Sequence, residues 1–285
     1  MGPVERREPL PQMRGHPAVT HIPWAGLPAH IHDAVTTRHG TITAVRDITA
    51  GFNCHAAAVL DTGSGALFVK ATRGHSAGHD REAAVAPHTG PAAPALLWRT
   101  TSSCSSWDWD LIAFHAVDGL HADLTPGSPH LAAVADLLTA AELPAPSTPH
   151  LPSWSDQWAA HATPGELEQL HGTHLVHGDI NPHNLLADST RIWLVDWALA
   201  ARGPAWADTA ETAIRLIEDG HTAAGASAWA STVPAWRAAD PAAVALWAEL
   251  RCRALTAAVG PDGARRSNDR HQALATERAQ GAPAA

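Results

Sequence analysis

The spacing of apolar positions changes near residue 118. Before it, short apolar runs bounded by Gly, Pro and Ser read as strands: TITAVRDI (41–48), HAAAVL (55–60), ALFVKA (66–71), PALLW (94–98) and WDLIAFHAV (109–117). The second and third are joined by DTGSG, a glycine-containing hairpin signal. Helices are predicted at 27–38, stopped near Gly40, and at 79–88, ended by Gly90-Pro91. After Asp118-Gly119 the helical period takes over. SPHLAAVADLLTAAEL (128–143) has Ser128 as N-cap, Pro129 at the first helical position and Pro144 as the stop. Further helix is predicted at 152–171, 208–219, 222–230 and 241–258. The Pro- and Arg-rich residues 1–22 predict disorder, and GPDG at 260–263 followed by a polar, Ala-rich end predicts a flexible tail over 261–285. The pattern is α+β: a mainly β part (23–114), a linker at 115–119 and a mainly helical part (120–260). Clefts between two such parts are where ligand pockets tend to lie.

One stretch breaks the apolar logic. In LVHGDINPHNLL (175–186) an Asp, two Asn and two His stand between apolar flanks. Polar groups placed there lose hydration, which costs free energy unless something they hold compensates. The continuation HNLLADSTRIWLVDW (183–197) contains two short apolar runs, Leu185 to Ala187 and Ile192 to Val195, joined by Asp188-Ser189-Thr190, a hairpin turn. Asn184 lies just before the first run and Asp196 just after the second, so an antiparallel pairing brings an amide oxygen and a carboxylate together. Mg²⁺ takes hard oxygen ligands of that kind and completes its shell with water and phosphates. Asp179, five residues before Asn184, is placed to accept or orient the proton of an attacking hydroxyl. Gly178 lets the loop turn, and His177 braces it. The bland reading is a loop of solvated polar groups.

Composition narrows the partners. The chain of 285 residues carries a net charge of −9, which argues against nucleic acid and is compatible with a cationic small molecule. Cys54, Cys104 and Cys252 have no metal spacing and cannot all pair, which favours a reducing cytoplasm. No apolar run approaches the ~20 residues of a membrane span, and no signal-peptide core is present. His171, His174 and His177 share a spacing, but no carboxylate completes a zinc pattern.

HGDxxxxN followed by a strand ending in Asp-Trp resembles the catalytic core of the aminoglycoside phosphotransferase family, small-molecule kinases with the protein-kinase fold. The resemblance spans about Trp24 to Leu255 and is strongest over 175–197. It implies an α+β, protein-kinase-like two-lobe fold, with an antiparallel β-sheet N-lobe that binds nucleotide and a mainly helical C-lobe that binds the acceptor. It implies Asp179 as catalytic base, Asn184 and Asp196 as Mg²⁺ ligands, and ATP or GTP as co-substrate. Lys70, the only Lys in the chain, falls on the third strand, where a phosphate contact is expected. Its partner is Glu82, with Asp80 as competitor. The phosphate loop would be TAGFNCH (49–55), reduced to one glycine, with Gly51, Phe52 and Asn53 beside the phosphates. Main-chain groups of His115 and Val117 would meet the base. Asp208 either braces the core or opens a capping box with Glu211, and capping ranks first.

The acceptor implied is a small hydroxylated molecule, aminoglycoside-like or another alcohol. Acidic residues after 200 (Glu211, Glu218, Asp219, Asp240, Glu249) are candidates for a polycation, although a solvated helix face is the favoured explanation of them. A protein kinase would need a longer segment after Asp196. A pseudokinase, a nucleotide-binding scaffold, would have lost Lys70, Asp179, Asn184 or Asp196, and all four remain.

Overall fold

The computed structural model describes residues 20–49, 54–103 and 108–281. Gly51, Phe52 and Asn53 lie outside the described residues, as does most of the 1–22 segment. Of that segment's end, Ile22 donates its N–H to the His55 carbonyl at 2.6 Å.

The chain opens with α1 (Ala29–His39), then β1 (Ile42–Asp47), β2 (Ala56–Thr62) and β3 (Gly65–Arg73). Next come α2 (Ala77–Val85), β4 (Leu96–Ser103) and β5 (Asp108–His115). The strands form one antiparallel sheet in the order β1-β2-β3-β5-β4. One face of this sheet packs Ala58, Leu60, Leu67, Val69, Leu111 and Ala113 against Ile31 and Val35 of α1. The alternation that buries these residues sends Lys70 and Ile112, paired across β3 and β5, to the opposite face.

Residues 116–119 connect β5 to β6 (Leu120–His121) and the helical part. This part contains α3 (His130–Ala140), α4 (Pro164–Gln169), β7 (His174–Val176), β8 (Leu185–Ala187), β9 (Ile192–Leu194) and β10 (Ala201–Gly203). It ends with α5 (Ala207–Glu218), α6 (Ala223–Ala230), α7 (Pro234–Ala238) and α8 (Pro241–Gln280). Its core is rich in tryptophan: Trp154, Trp158, Trp206, Trp236 and Trp247 are buried, which leaves them no role on an open surface.

The helix expected over 152–171 is not continuous. Ser153 caps a short 3-10 helix, Trp154–Trp158, and Thr163 restarts the helix with its own capping box and Pro164 at the first position. Ser128 sits one residue too early to be the N-cap of α3, although its hydroxyl still accepts the His130 N–H at 3.2 Å.

The tail expected over 261–285 is also overturned as far as Gly281, the last described residue. Gly260 adopts φ 78°, and Pro261 then opens a second helical half that runs to Gln280. Ala264, Ser267, His271, Leu274 and Arg278 form its buried stripe, at spacings of three and four. That stripe contains a Ser, a His and an Arg, so it carries no apolar period for sequence to display.

Candidate active site

The hairpin that carries the site forms as the turn chemistry dictates. Asp188 Oδ1 accepts from the N–H of Thr190 and of Arg191, closing the turn between β8 and β9. Leu185 then pairs with Leu194, and the Val195 N–H donates to the Asn184 carbonyl at 2.9 Å. Asn184 and Asp196 therefore stand side by side at the open end. Asp196 holds φ 66°, ψ 66°, the only described non-glycine residue with positive φ. Such a conformation costs roughly 1–3 kcal/mol and persists where surrounding structure imposes it.

Here the sheet and the hairpin meet. Lys70 Nζ lies 2.8 Å from Glu82 Oε1 and 2.7 Å from Asp196 Oδ1. Burial alone would lower the ammonium's pKa, but the Asp196 and Glu82 carboxylates outweigh it and hold the pKa above the lysine range. One cation thus serves two carboxylates. Burial also works against ionised Asp196, yet Lys70 holds its pKa low. Glu82 is pushed up by burial, with Lys70 opposing and the Asp196 charge adding to the push.

Asp80, the competitor, faces away from Lys70. It pairs with Arg99 at 2.7 Å and His75 at 2.8 Å, while Arg99 also grips Asp110 at 2.9 and 2.6 Å. Asp110 in turn accepts the Ser76 N–H at 3.1 Å, so the network fixes the start of α2 against the sheet. Arg81 ties the same helix to the segment after Asp196 through the Ala198 carbonyl at 2.8 Å. Nothing in the apolar pattern signalled Arg99, Asp110 or Arg81.

Asp179 is half-buried at the centre of its loop. Asn184 Nδ2 donates to its carbonyl at 2.9 Å and its carboxylate at 3.1 Å, and Asn181 Nδ2 donates to the same two groups at 3.1 Å. Burial and the Asp196 charge raise its pKa to about 6, against the Arg215 guanidinium. His177 accepts the Asp179 N–H on Nδ1 at 3.2 Å, which assigns its proton to Nε2, the atom 3.0 Å from the Val195 carbonyl. Burial lowers this imidazole to about 4, so it is neutral at pH 7.

Asp208 is not a cap. The N-cap position of α5 is Trp206, without a side-chain bond, and Asp208 accepts the N–H of His177 at 2.8 Å and of Gly178 at 3.1 Å. Burial raises its pKa to about 6. His115 gives its N–H to the Ala95 carbonyl at 3.0 Å, and the half-buried Val117 lies in the connection beyond it.

The donor set at the hairpin mouth fits a hard divalent cation. Asn184 commits its amide nitrogen to Asp179, which turns its oxygen away from that residue, and Asp196 adds a carboxylate. Among the described residues no cluster of three or more His, Cys, Asp or Glu could cage a metal.

The acidic residues after 200 are largely neutralised within the chain. Glu218 pairs with Arg215 at 2.8 Å and Arg270 at 3.1 Å, Glu249 with Arg253, and Glu211 lies 3.7 Å from Arg251. Asp240 caps α8 through the Ala242 N–H.

A five-stranded antiparallel sheet, a short connection and a helical part bearing this hairpin define the protein-kinase-like fold of small-molecule kinases. Residues 111–247 match the model of the phosphotransferase enzyme family (APH), and the chain is a phosphotransferase of the small-molecule kinase class. No curated protein matches the chain by sequence. Several solved structures share its fold. Aminoglycoside phosphotransferase APH(4)-Ia, in a thermostable form with ADP and hygromycin B, aligns at TM-score 0.54 and 16% identity, covering 89% of this chain and 99% of its own. Amicoumacin kinase hAmiN, with AMP-PNP and Ca²⁺, aligns at 0.58 and 13%, covering 88% and 91%. Choline kinase LicA from Streptococcus pneumoniae aligns at 0.51 and 11%, covering 86% and 98%. At such identities the likeness speaks for the fold. No described helix is long and apolar enough to cross a membrane.

Proposed function

We propose that the chain moves the γ-phosphate of ATP or GTP onto a hydroxyl of a small molecule in the cytoplasm. The observation that carries this reading is the meeting of Lys70, Asp196, Asn184 and Asp179 from separate elements at one mouth. Asp179 takes the acceptor proton as the hydroxyl oxygen bonds to γ-phosphorus and the bond to the β-phosphate oxygen breaks. Asn181 and Asn184 hold its carboxylate in place, which turns binding into near-attack geometry. Lys70, kept charged and fixed by Glu82, places its ammonium against the α- and β-phosphates. Asn184 and Asp196 hold Mg²⁺, which offsets negative charge on the phosphates when bound. The His115 carbonyl and the main chain of Val117 meet the base, and backbone amides around Gly51, Phe52 and Asn53 meet the phosphates.

The relatives act on aminoglycosides, an antibiotic and choline, so a small hydroxylated amine leads the list of acceptors. The test is Mg²⁺-dependent ADP or GDP release across a panel of hydroxylated acceptors, with Asp179→Asn as blank. Acceptor-dependent turnover lost in the variant supports the reading. Tight Mg·ATP binding with no turnover for any acceptor would favour a nucleotide-binding scaffold instead. Equal turnover in the variant would remove Asp179 from its role.

A further inference from the structure

We propose that Arg215 is a positioning residue for the catalytic loop, held in place by the C-terminal helix through Glu218 and Arg270. The inference rests on the reading that Asp179 acts on the acceptor hydroxyl.

Asp208 and Arg215 are seven residues apart on α5, two helical turns, and therefore share a face. That face meets the loop on both sides of Asp179. Upstream, the Asp208 carboxylate accepts the N–H of His177 and of Gly178. Downstream, Arg215 Nε donates to the carbonyl of Ile180 at 3.1 Å. One helix thus grips the main chain at 177, 178 and 180, leaving Asp179 as the residue between the grips. A loop fixed only upstream could still swing about Asp179. The bond to Ile180 removes that freedom.

Arg215 is itself fixed from behind. Its Nη1 lies 2.8 Å from Glu218 Oε2, and Glu218 Oε1 lies 3.1 Å from Arg270 Nη1 on the second half of α8. Side-chain exposures of 14% for Arg215, 21% for Glu218 and 32% for Arg270 describe a pair of ion pairs shielded from solvent at its inner end. An arginine suits the task better than lysine, because its planar fork serves the carbonyl and the carboxylate at once. The helix beyond Gly260 thereby reaches the catalytic loop through three side chains, Arg270, Glu218 and Arg215.

The test compares Arg215→Met, Arg215→Lys and Arg270→Gln in the full chain. Steady-state kinetics use the best acceptor of the panel, Mg·AMP-PNP binding is measured by calorimetry, and amide exchange is followed over residues 177–182. In Arg215→Met, kcat should fall by about tenfold or more while AMP-PNP affinity stays within about twofold. Arg215→Lys should recover part of the loss, and Arg270→Gln should show the same pattern more weakly. Unchanged kcat in Arg215→Met overturns the proposal. So does a parallel fall of kcat and AMP-PNP affinity with no rescue by lysine, which marks a general loss of fold. If Arg215→Met does not fold, unchanged kcat in both remaining variants overturns it. If the wild type transfers to no acceptor, the functional reading fails separately. Exchange over 177–182 then decides this inference: faster exchange in Arg215→Met, partly restored by lysine, supports it, and unchanged exchange overturns it.

Discussion

Lys70 and Asp196 are 126 residues apart in the chain and 2.7 Å apart in space, ammonium against carboxylate. The contact joins the sheet to the hairpin, and Glu82 completes it from α2. A buried cation shared by two carboxylates is tolerable only while every member remains, since a carboxylate left without its cation keeps its desolvation cost.

Lys70→Met should therefore destabilise the fold by about 3 kcal/mol, at the lower end of what a broken buried pair costs, because Glu82 can take up a proton. The double variant Lys70→Met/Glu82→Gln should recover part of that loss, and neither should bind Mg·AMP-PNP tightly. Urea unfolding of both variants checks the first statement and calorimetry the second. A double variant no more stable than the single one would mean that Glu82 bears no cost when its partner leaves.

Gly178 tests how tightly the loop is built. It holds φ +79°, and a Cβ there would meet the Leu199 carbonyl oxygen at 2.8 Å. Alanine would suffer both the left-handed penalty, about 1–2 kcal/mol, and a contact that only a backbone shift relieves. Gly178→Ala should lower stability by about 2 kcal/mol or more and reduce kcat along with it, because the shift falls on the neighbour of Asp179. Gly165→Ala is the control, since nothing lies within 4 Å of its Cβ, and its stability should change by less than about 1 kcal/mol. Thermal unfolding of the pair separates them, and equal midpoints would show that the loop yields freely.

Those residues were legible in the sequence because chemistry forced unusual types into an apolar setting. A sole lysine on a strand and Asp, Asn, His and Gly between apolar flanks have few structural reasons to be there. Glu82 could be put ahead of Asp80 only by resemblance, because both lie on one short helix and the physical choice is made by Arg99, which claims Asp80 from β4. Arg215 carried no signal at all: an arginine three residues before a glutamate on a helix reads as a solvated pair. Asp208 misled for a related reason. Its local spacing suits a cap, and only the folded chain brings the amides of His177 and Gly178 within its reach.

His271 predicts how the C-terminal helix responds to acid. It is buried, its Nδ1 faces the Ser267 carbonyl at 2.8 Å, and its Nε2 has no partner. Burial, with Arg251 adding to it, lowers its pKa from 6.5 to about 3. A lowered histidine favours the fold fully above its unfolded pKa and loses that contribution as pH falls below 6.5, since the unfolded state then binds the proton more readily. At pH 5 the loss relative to pH 8 is about 2 kcal/mol. His177 acts in the same sense, and the raised Asp179 and Asp208 act in the opposite one, so the whole-protein curve mixes signs. The difference curve is clean. His271→Gln should be less sensitive than wild type between pH 8 and 5 by about 2 kcal/mol in denaturant unfolding, and parallel curves would mean that His271 titrates normally in the fold.

The composition of residues 261–285 suggests that a stop codon after Gly260 should cost nothing. The folded chain says otherwise. Leu274 is fully buried, and burying one leucine contributes about 1.5–3 kcal/mol. Arg278 donates to the carbonyls of Arg237 at 3.2 Å and Ala239 at 2.6 Å, satisfying the end of α7. Arg270 completes the ion pairs behind Arg215. Removing all three groups should cost about 5 kcal/mol, close to the whole stability of an ordinary domain, so the truncated chain should aggregate or unfold near 37 °C. A milder cut after Gly281 leaves every one of these contacts and should unfold well above the chain that ends at Gly260. Thermal unfolding and soluble yield of the two truncations distinguish the cases. A stable, soluble chain ending at Gly260 would mean that the second half of α8 adds nothing to the core it covers.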